Sequence, residues 1–114
     1  MQDIVTDIAA IDRTHLREMT MGDDVLAREV LALFDRQAAI MMRRLPMANT
    51  AEKGEMAHAL KGSARGIGAW KVADAAALVE IAGDPVALKE LNEALADAQA
   101  DIARMLRENA PLLA

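Results

Sequence analysis

Apolar residues recur at intervals of three and four along most of this chain, and this spacing restricts its fold more than any other feature. The interval is clearest between Leu88 and Leu106, where leucine, alanine and isoleucine return to one face of an α-helix. Hydrophobic residues make up 54% of the chain, yet only Phe34 and Trp70 are aromatic, so helix-favouring Ala, Leu and Met supply much of the apolar content. The sequence therefore predicts an all-α fold.

Short turn signals divide this pattern into five helical pieces within one domain that spans residues 1–114. The first piece is short and follows a loosely apolar arm containing Ile4, Ile8 and Ile11. The other four are long and joined by short connections, which favours antiparallel neighbours. We therefore predict an up-down-up-down antiparallel four-helix bundle with a short additional N-terminal helix. The pieces begin at Asp12, Asp23, Asn49, Trp70 and Asp84, and the first four end at Gly22, Pro46, Gly66 to Gly68, and Gly83.

Each long piece carries an apolar stripe that we expect to face the core. The predicted stripes are Leu26, Val30, Leu33, Met41 and Leu45 in the second piece, Ala57, Leu60, Ala64 and Ile67 in the third, Val72, Ala75, Ala76, Val79 and Ala82 in the fourth, and Leu88, Leu91, Leu95, Ala98, Ile102 and Leu106 in the fifth.

Charge and composition exclude several classes of function. The formal net charge is -5 and the basic residues are not gathered into a stripe, so nucleic acid is not an expected partner. The absence of cysteine removes thiolate nucleophiles and sulfur-bound metals. Without a basic and apolar leader or an apolar run of about 18 residues, we expect a cytoplasmic protein that does not engage a membrane.

One face of the third piece combines groups that suit phosphate chemistry. At about 100° per residue, His58, Lys61, Gly62 and Arg65 share a face roughly 130° away from the apolar stripe, so the histidine should point to solvent. Imidazole is nucleophilic near neutral pH, and the two cations lie on adjacent turns where they can pair with a phosphoryl oxygen. Because glycine inside a helix costs about 1 kcal/mol relative to alanine, Gly62 calls for a reason, and close approach by another protein is one.

The run from His58 to Ala69, HALKGSARGIGA, resembles the signature of histidine-containing phosphotransfer (HPt) domains. In that family a histidine is followed by Leu, Lys, Gly and Ser at the second to fifth positions, and a Gly-Ala pair ends the helix. The resemblance extends along the chain, because residues 23–45 resemble the long helix that precedes the site and residues 78–80 resemble the helix that follows it.

The resemblance implies a phosphoryl carrier in a multistep phosphorelay rather than an enzyme. His58 would receive a phosphoryl group from a histidine kinase or a receiver-domain aspartate and donate it to another receiver aspartate. Lys61 would stabilise the phosphate, Gly62 would give clearance and Ser63 would be a minor hydrogen-bonding group, whereas Arg65 is included only for its charge and position. The carrier would be a monomer without a cofactor, and Mg²⁺ would belong to the partner receiver domain of a response regulator or hybrid kinase.

Other interpretations of the same residues remain open. Glu55 and His58, like Asp12 and His15, have the spacing found in di-iron bundles, but the fourth and fifth stripes offer no inward carboxylate, so we predict no metal site. We expect His15 to be structural or exposed. An adaptor of the same fold could bind a receiver or kinase without carrying phosphate, and a scaffolding dimer is a third alternative. No nucleotide-binding loop or kinase motif is present.

Overall fold

A computed structural model of the chain describes residues 9–113, and this part of the chain contains helices and turns but no strand. This confirms the all-α prediction for the described range. The α-helices are α1 (Arg13–Met19), α2 (Asp24–Arg44), α3 (Thr50–Ile67), α4 (Trp70–Ile81) and α5 (Pro85–Leu106), and a 3-10 turn (Leu45–Met47) follows α2. The apolar arm predicted at Ile4 and Ile8 lies outside the described residues, whereas Ile11 is buried.

Helices α1, α2, α3 and α5 begin where the sequence predicts because side chains cap their first turns. Asp12, Asp23 and Asp84 each accept a hydrogen bond from the backbone amide three residues on. Asn49 and Glu52 form a reciprocal capping box at the start of α3. At 12 residues, α4 is the shortest of the four main helices.

The predicted core stripe of α2 is confirmed at Leu45 and wrong at Leu26 and Leu33. The buried side chains are Ala27, Leu31, Phe34, Ala38 and Leu45, whereas Leu33 is 57% exposed and Leu26 is also exposed. Two apolar stripes run side by side on this helix, and the prediction chose the one with the larger side chains. The stripe that faces the core includes two alanines, at 27 and 38, and both are fully buried. Val30 and Met41 are only partly buried beside it.

The stripes of the later helices agree better with the structure. The predicted residues of α3 are all buried, and Leu91, Leu95, Ala98 and Ile102 are buried along α5. Ala82 is exposed, contrary to prediction, because α4 ends at Ile81 and Ala82 caps it outside the helix. Leu88 and Leu106, near the two ends of α5, are partly buried. Helix α3 packs against α4 and α2, and α5 packs against α4 and α2.

Helix α1 is anchored to the turn between α3 and α4. The Asp12 amide donates to the Gly68 carbonyl at 3.0 Å, and the indole nitrogen of Trp70 donates to Asp12 at 3.0 Å. The His15 ring lies against Trp70, with 4.7 Å between ring centroids, and its Nε2 is 2.8 Å from the Arg65 carbonyl oxygen. These contacts fix α1 to the end of the α3–α4 pair at the Gly68 turn, between two and three helical turns along α3 from His58.

Candidate functional site

The imidazole of His58 stands on the outer face of α3. The inward face of this helix is set by its buried stripe, which consists of Ala57, Leu60, Ala64 and Ile67. His58 follows Ala57 in the sequence and is therefore turned about 100° away from it around the helix. Its side chain is 70% exposed. The helical pattern therefore placed His58 correctly in solvent.

Glu80 on α4 joins His58 and Lys61 into one cluster. Its Oε2 lies 2.7 Å from Nδ1 of His58, and its Oε1 accepts a hydrogen bond of 2.7 Å from Nζ of Lys61. The Lys61 and Glu80 side chains are more enclosed than the histidine, at 19% and 29% exposed. Both carboxylate oxygens are therefore engaged in contacts. Glu80 thus connects the exposed ring of His58 to the less exposed side chain of Lys61, between α3 and α4.

The cluster keeps the carboxyl of Glu80 ionised. The hydrogen bond from Lys61, followed by that from His58, lowers the pKa of Glu80 below its ordinary value against the opposing effect of desolvation. A carboxylate accepts hydrogen bonds but donates none. The proton in the contact with His58 therefore lies on Nδ1, and in the neutral ring Nε2 carries the free lone pair.

Small residues surround the ring on α3. Gly62 lies one turn beyond His58, and a Cβ added to it meets no atom within 4 Å. Packing within the described part of the molecule thus gives no reason for this glycine. On the other side of His58, Ala51, Gly54 and Glu55 line an open groove that reaches the histidine and Glu80. The imidazole is accessible from both directions along the helix.

The structure separates Ser63 and Arg65 from this cluster. Ser63 lies about 140° around the helix from His58 and lines a groove with Leu33 and Gln37 of α2. Arg65 is exposed, and its backbone carbonyl receives the hydrogen bond from His15. Of the residues selected from sequence, the geometry thus brings together His58 and Lys61, with Gly62 beside them, and adds Glu80, which the selection missed.

Exposed apolar side chains lie on the helices to both sides of α3. Ile81, next to Glu80, is 83% exposed, and Leu78 is also exposed on α4. On α2, Ile40 is exposed and Met41 and Met42 are half-buried. Counting back from the turns of an antiparallel bundle predicts that the segments 40–42 and 77–81, which contain these residues, form the docking surface beside His58. Their exposure is compatible with contact by a second protein.

The second histidine has a structural setting. His15 is half-buried, with its ring nitrogen on the end of α3 and its face against Trp70. Within residues 9–113, no group of three or more His, Asp or Glu side chains is arranged to hold a metal ion. In the same range, no helix has both the length and the apolar character needed to cross a bilayer.

Comparisons with protein-family models, with curated proteins and with solved structures yield no match to this chain. The features that bear on function are therefore the motif from His58 to Ala69, the exposure of His58 and the geometry around Glu80.

Proposed function

We propose that the chain is a histidine phosphotransfer protein that carries a phosphoryl group on His58 in a phosphorelay. The observation that carries the proposal is an exposed imidazole whose Nδ1 is held by Glu80, beside a glycine that nothing in the described fold requires. We further propose that α2 to α5 form the antiparallel up-down-up-down bundle of HPt domains, that the protein is cytoplasmic, and that its partners are receiver domains.

The geometry favours Nε2 as the nitrogen that is phosphorylated. The Nε2 lone pair forms the new N–P bond, while the acyl P–O bond of the receiver aspartyl phosphate breaks and its electron pair goes to the aspartate carboxylate. Such a transfer depends on in-line positioning and on neutralisation of charge. Mg²⁺ in the receiver and Lys61 at the edge of the site supply that neutralisation.

Several features suit the approach of a receiver domain. A pocket that must bring an aspartate within bonding distance of the imidazole needs clearance, which Gly54 and Gly62 provide on either side of His58. Exposed Ile81, next to Glu80, offers apolar contact area on α4. Arg65, two turns along α3, adds a positive charge for the acidic surroundings of the aspartate, and Ser63 is left with a supporting role between α2 and α3.

The test is transfer of label from a radiolabelled phosphorylated receiver domain to the purified protein. The wild type should acquire label that is lost in acid and retained in alkali, as expected for a phosphoramidate. His58→Gln should acquire none. His15→Gln is the matched control, because the chain has only two histidines and His15 is held by the end of α3; it should be labelled like the wild type.

The alternative is an adaptor that binds a receiver without carrying phosphate. Label absent from the folded wild type across a panel of receivers, together with stable binding to one of them, would favour the adaptor. Equal labelling of wild type and His58→Gln would exclude His58 as the carrier.

A further inference from the structure

The carboxylate of Glu80 is fixed from two sides. One oxygen is held by the ammonium group of Lys61 and the other faces Nδ1 of His58, each at 2.7 Å. Rotation of the carboxylate away from the imidazole would break the contact with Lys61 as well. Glu80 is therefore a rigid acceptor for the Nδ1 proton, on a different helix from the ring it contacts.

The Nδ1 proton matters most when the phosphoryl group leaves. Attack by Nε2 on phosphorus converts the neutral ring into a phosphoimidazolium that still bears its proton on Nδ1. In the donation step an acceptor oxygen forms the new bond to phosphorus, the N–P bond breaks, and its electron pair returns to Nε2, which gives neutral imidazole. If Nδ1 had lost its proton first, the leaving group would be the imidazolate anion, which is far more basic and leaves more slowly.

We propose that Glu80 is a positioning residue that holds the Nδ1 proton on phosphorylated His58 and so keeps the carrier an active donor at alkaline pH. This inference rests on the proposed function and concerns the second half of its cycle. An adjacent carboxylate stabilises a positive ring, whereas a neutral amide in its place does so much less. Lys61 contributes by orienting Glu80, although its own charge opposes protonation of the ring.

Other charged groups near the ring are few in the described range. Glu55, on the same helix, lines the open groove with His58 and Glu80. Arg44, at the end of α2, lines the neighbouring groove with Glu55. The segment of α2 closest in register, 40–42, consists of Ile and Met and brings no charge. Of these groups, Glu80 and Lys61 form the hydrogen-bonded cluster with the ring, so the pH dependence should follow Glu80.

The test uses phosphoramidate, a small phosphoryl donor that needs no partner protein. Phosphorylated wild type, Glu80→Gln and the control Glu55→Gln are freed of donor, and the rate of phosphohistidine hydrolysis is followed by ³¹P NMR from about pH 5 to about pH 10. The rate should fall as the ring loses its proton. We expect the midpoint of that fall to lie about one pH unit lower in Glu80→Gln than in the wild type, and to shift much less in Glu55→Gln, whose carboxylate lies outside the hydrogen-bonded cluster.

Two further measurements keep the result decisive. Glu80→Asp retains the charge but withdraws it from the ring, and it should also lower the midpoint. In the unphosphorylated wild type, ¹⁵N shifts of His58 should show the proton on Nδ1, and in Glu80→Gln a mixture of tautomers. Coincident pH profiles for wild type and Glu80→Gln would overturn the inference, as would failure of phosphoramidate to label His58. The phosphoramidate experiment involves no receiver domain. If Glu80→Gln shifts the midpoint as expected but the protein transfers phosphate to no receiver, the result would count against the proposed phosphorelay and not against the role of Glu80.

Discussion

Substitution of Gly68 by alanine tests how firmly α1 is fixed to the pair of helices that carries the site. Gly68 ends α3 with φ of 80°, in the left-handed region that an alanine adopts only with strain. A Cβ at this position would lie 2.9 Å from both the Cβ and the carbonyl oxygen of Asp12, and 3.3 Å from its amide nitrogen. Two of these three atoms belong to the backbone, so a rotamer change cannot relieve the contact.

A control substitution at Gly22 separates the two contributions to the loss of stability, which are backbone strain and steric overlap with Asp12. Gly22 has φ of 74°, and a Cβ there meets nothing within 4 Å. Gly22→Ala should therefore lower the free energy of unfolding by the backbone strain alone, about 1 kcal/mol. Gly68→Ala should lower it by about 3 kcal/mol, because overpacking against Asp12 adds about 2 kcal/mol.

Urea unfolding followed by circular dichroism measures the difference. With a slope of about 2 kcal/mol per molar urea, the midpoint of Gly68→Ala should lie about 1 M below that of Gly22→Ala. The slopes should be equal, since both variants expose the same surface on unfolding. Equal midpoints for the two variants would refute the reasoning and mean that α1 shifts away from Gly68 at little cost.

Three further predictions follow from burial, clearance and charge. Leu95→Ala, at a fully buried position of α5, should lower the free energy of unfolding by about 2 to 5 kcal/mol. His58→Gln, on the exposed face of α3, should change it by less than about 0.5 kcal/mol. A lower urea midpoint for His58→Gln than for Leu95→Ala would contradict the burial of Leu95 and the exposure of His58. Gly62→Ala should raise the free energy of unfolding by up to about 1 kcal/mol yet slow transfer from a receiver, and unchanged transfer would show that no partner needs the clearance. Since Lys61 first, and His58 second, lower the pKa of Glu80 below the ordinary 4.5, ionised Glu80 stabilises the fold above about pH 4.5 and this contribution is lost as the pH falls through the lowered pKa. Wild type should therefore be more stable than Glu80→Gln at about pH 6 and lose that advantage once Glu80 is protonated, at a pH below its ordinary pKa of 4.5. A difference that persists in acid would exclude the ionised pair as its source.

The helix boundaries were predictable because they are written locally. Asp23, Asn49 and Asp84 cap helices through bonds to amides three residues on, and such bonds depend on nothing distant in the chain. The inward face of α2 was not predictable in the same way. Its two apolar stripes have similar periodicity, and the choice between Leu31 and Leu33 depends on how closely the other helices approach, which is a property of the assembled core.

Glu80 shows where a sequence signal existed and was not used. Helices α3 and α4 meet at the Gly68–Ala69 turn, and equal steps from Ala69 lead back to His58 and forward to Glu80. Counting across the turn predicts that 77–81 faces the site, and the apolar residues of that segment predict a docking surface. It contains a single carboxylate among Ala, Leu, Val and Ile, opposite a histidine and a lysine one turn apart. A single carboxylate in an apolar helical segment, directly across from two basic side chains on the neighbouring helix, predicts an ion pair between the two helices. Burying part of that charge without a partner would cost free energy. The same count applied to any histidine on one arm of a helical hairpin predicts which residue of the other arm can orient its ring.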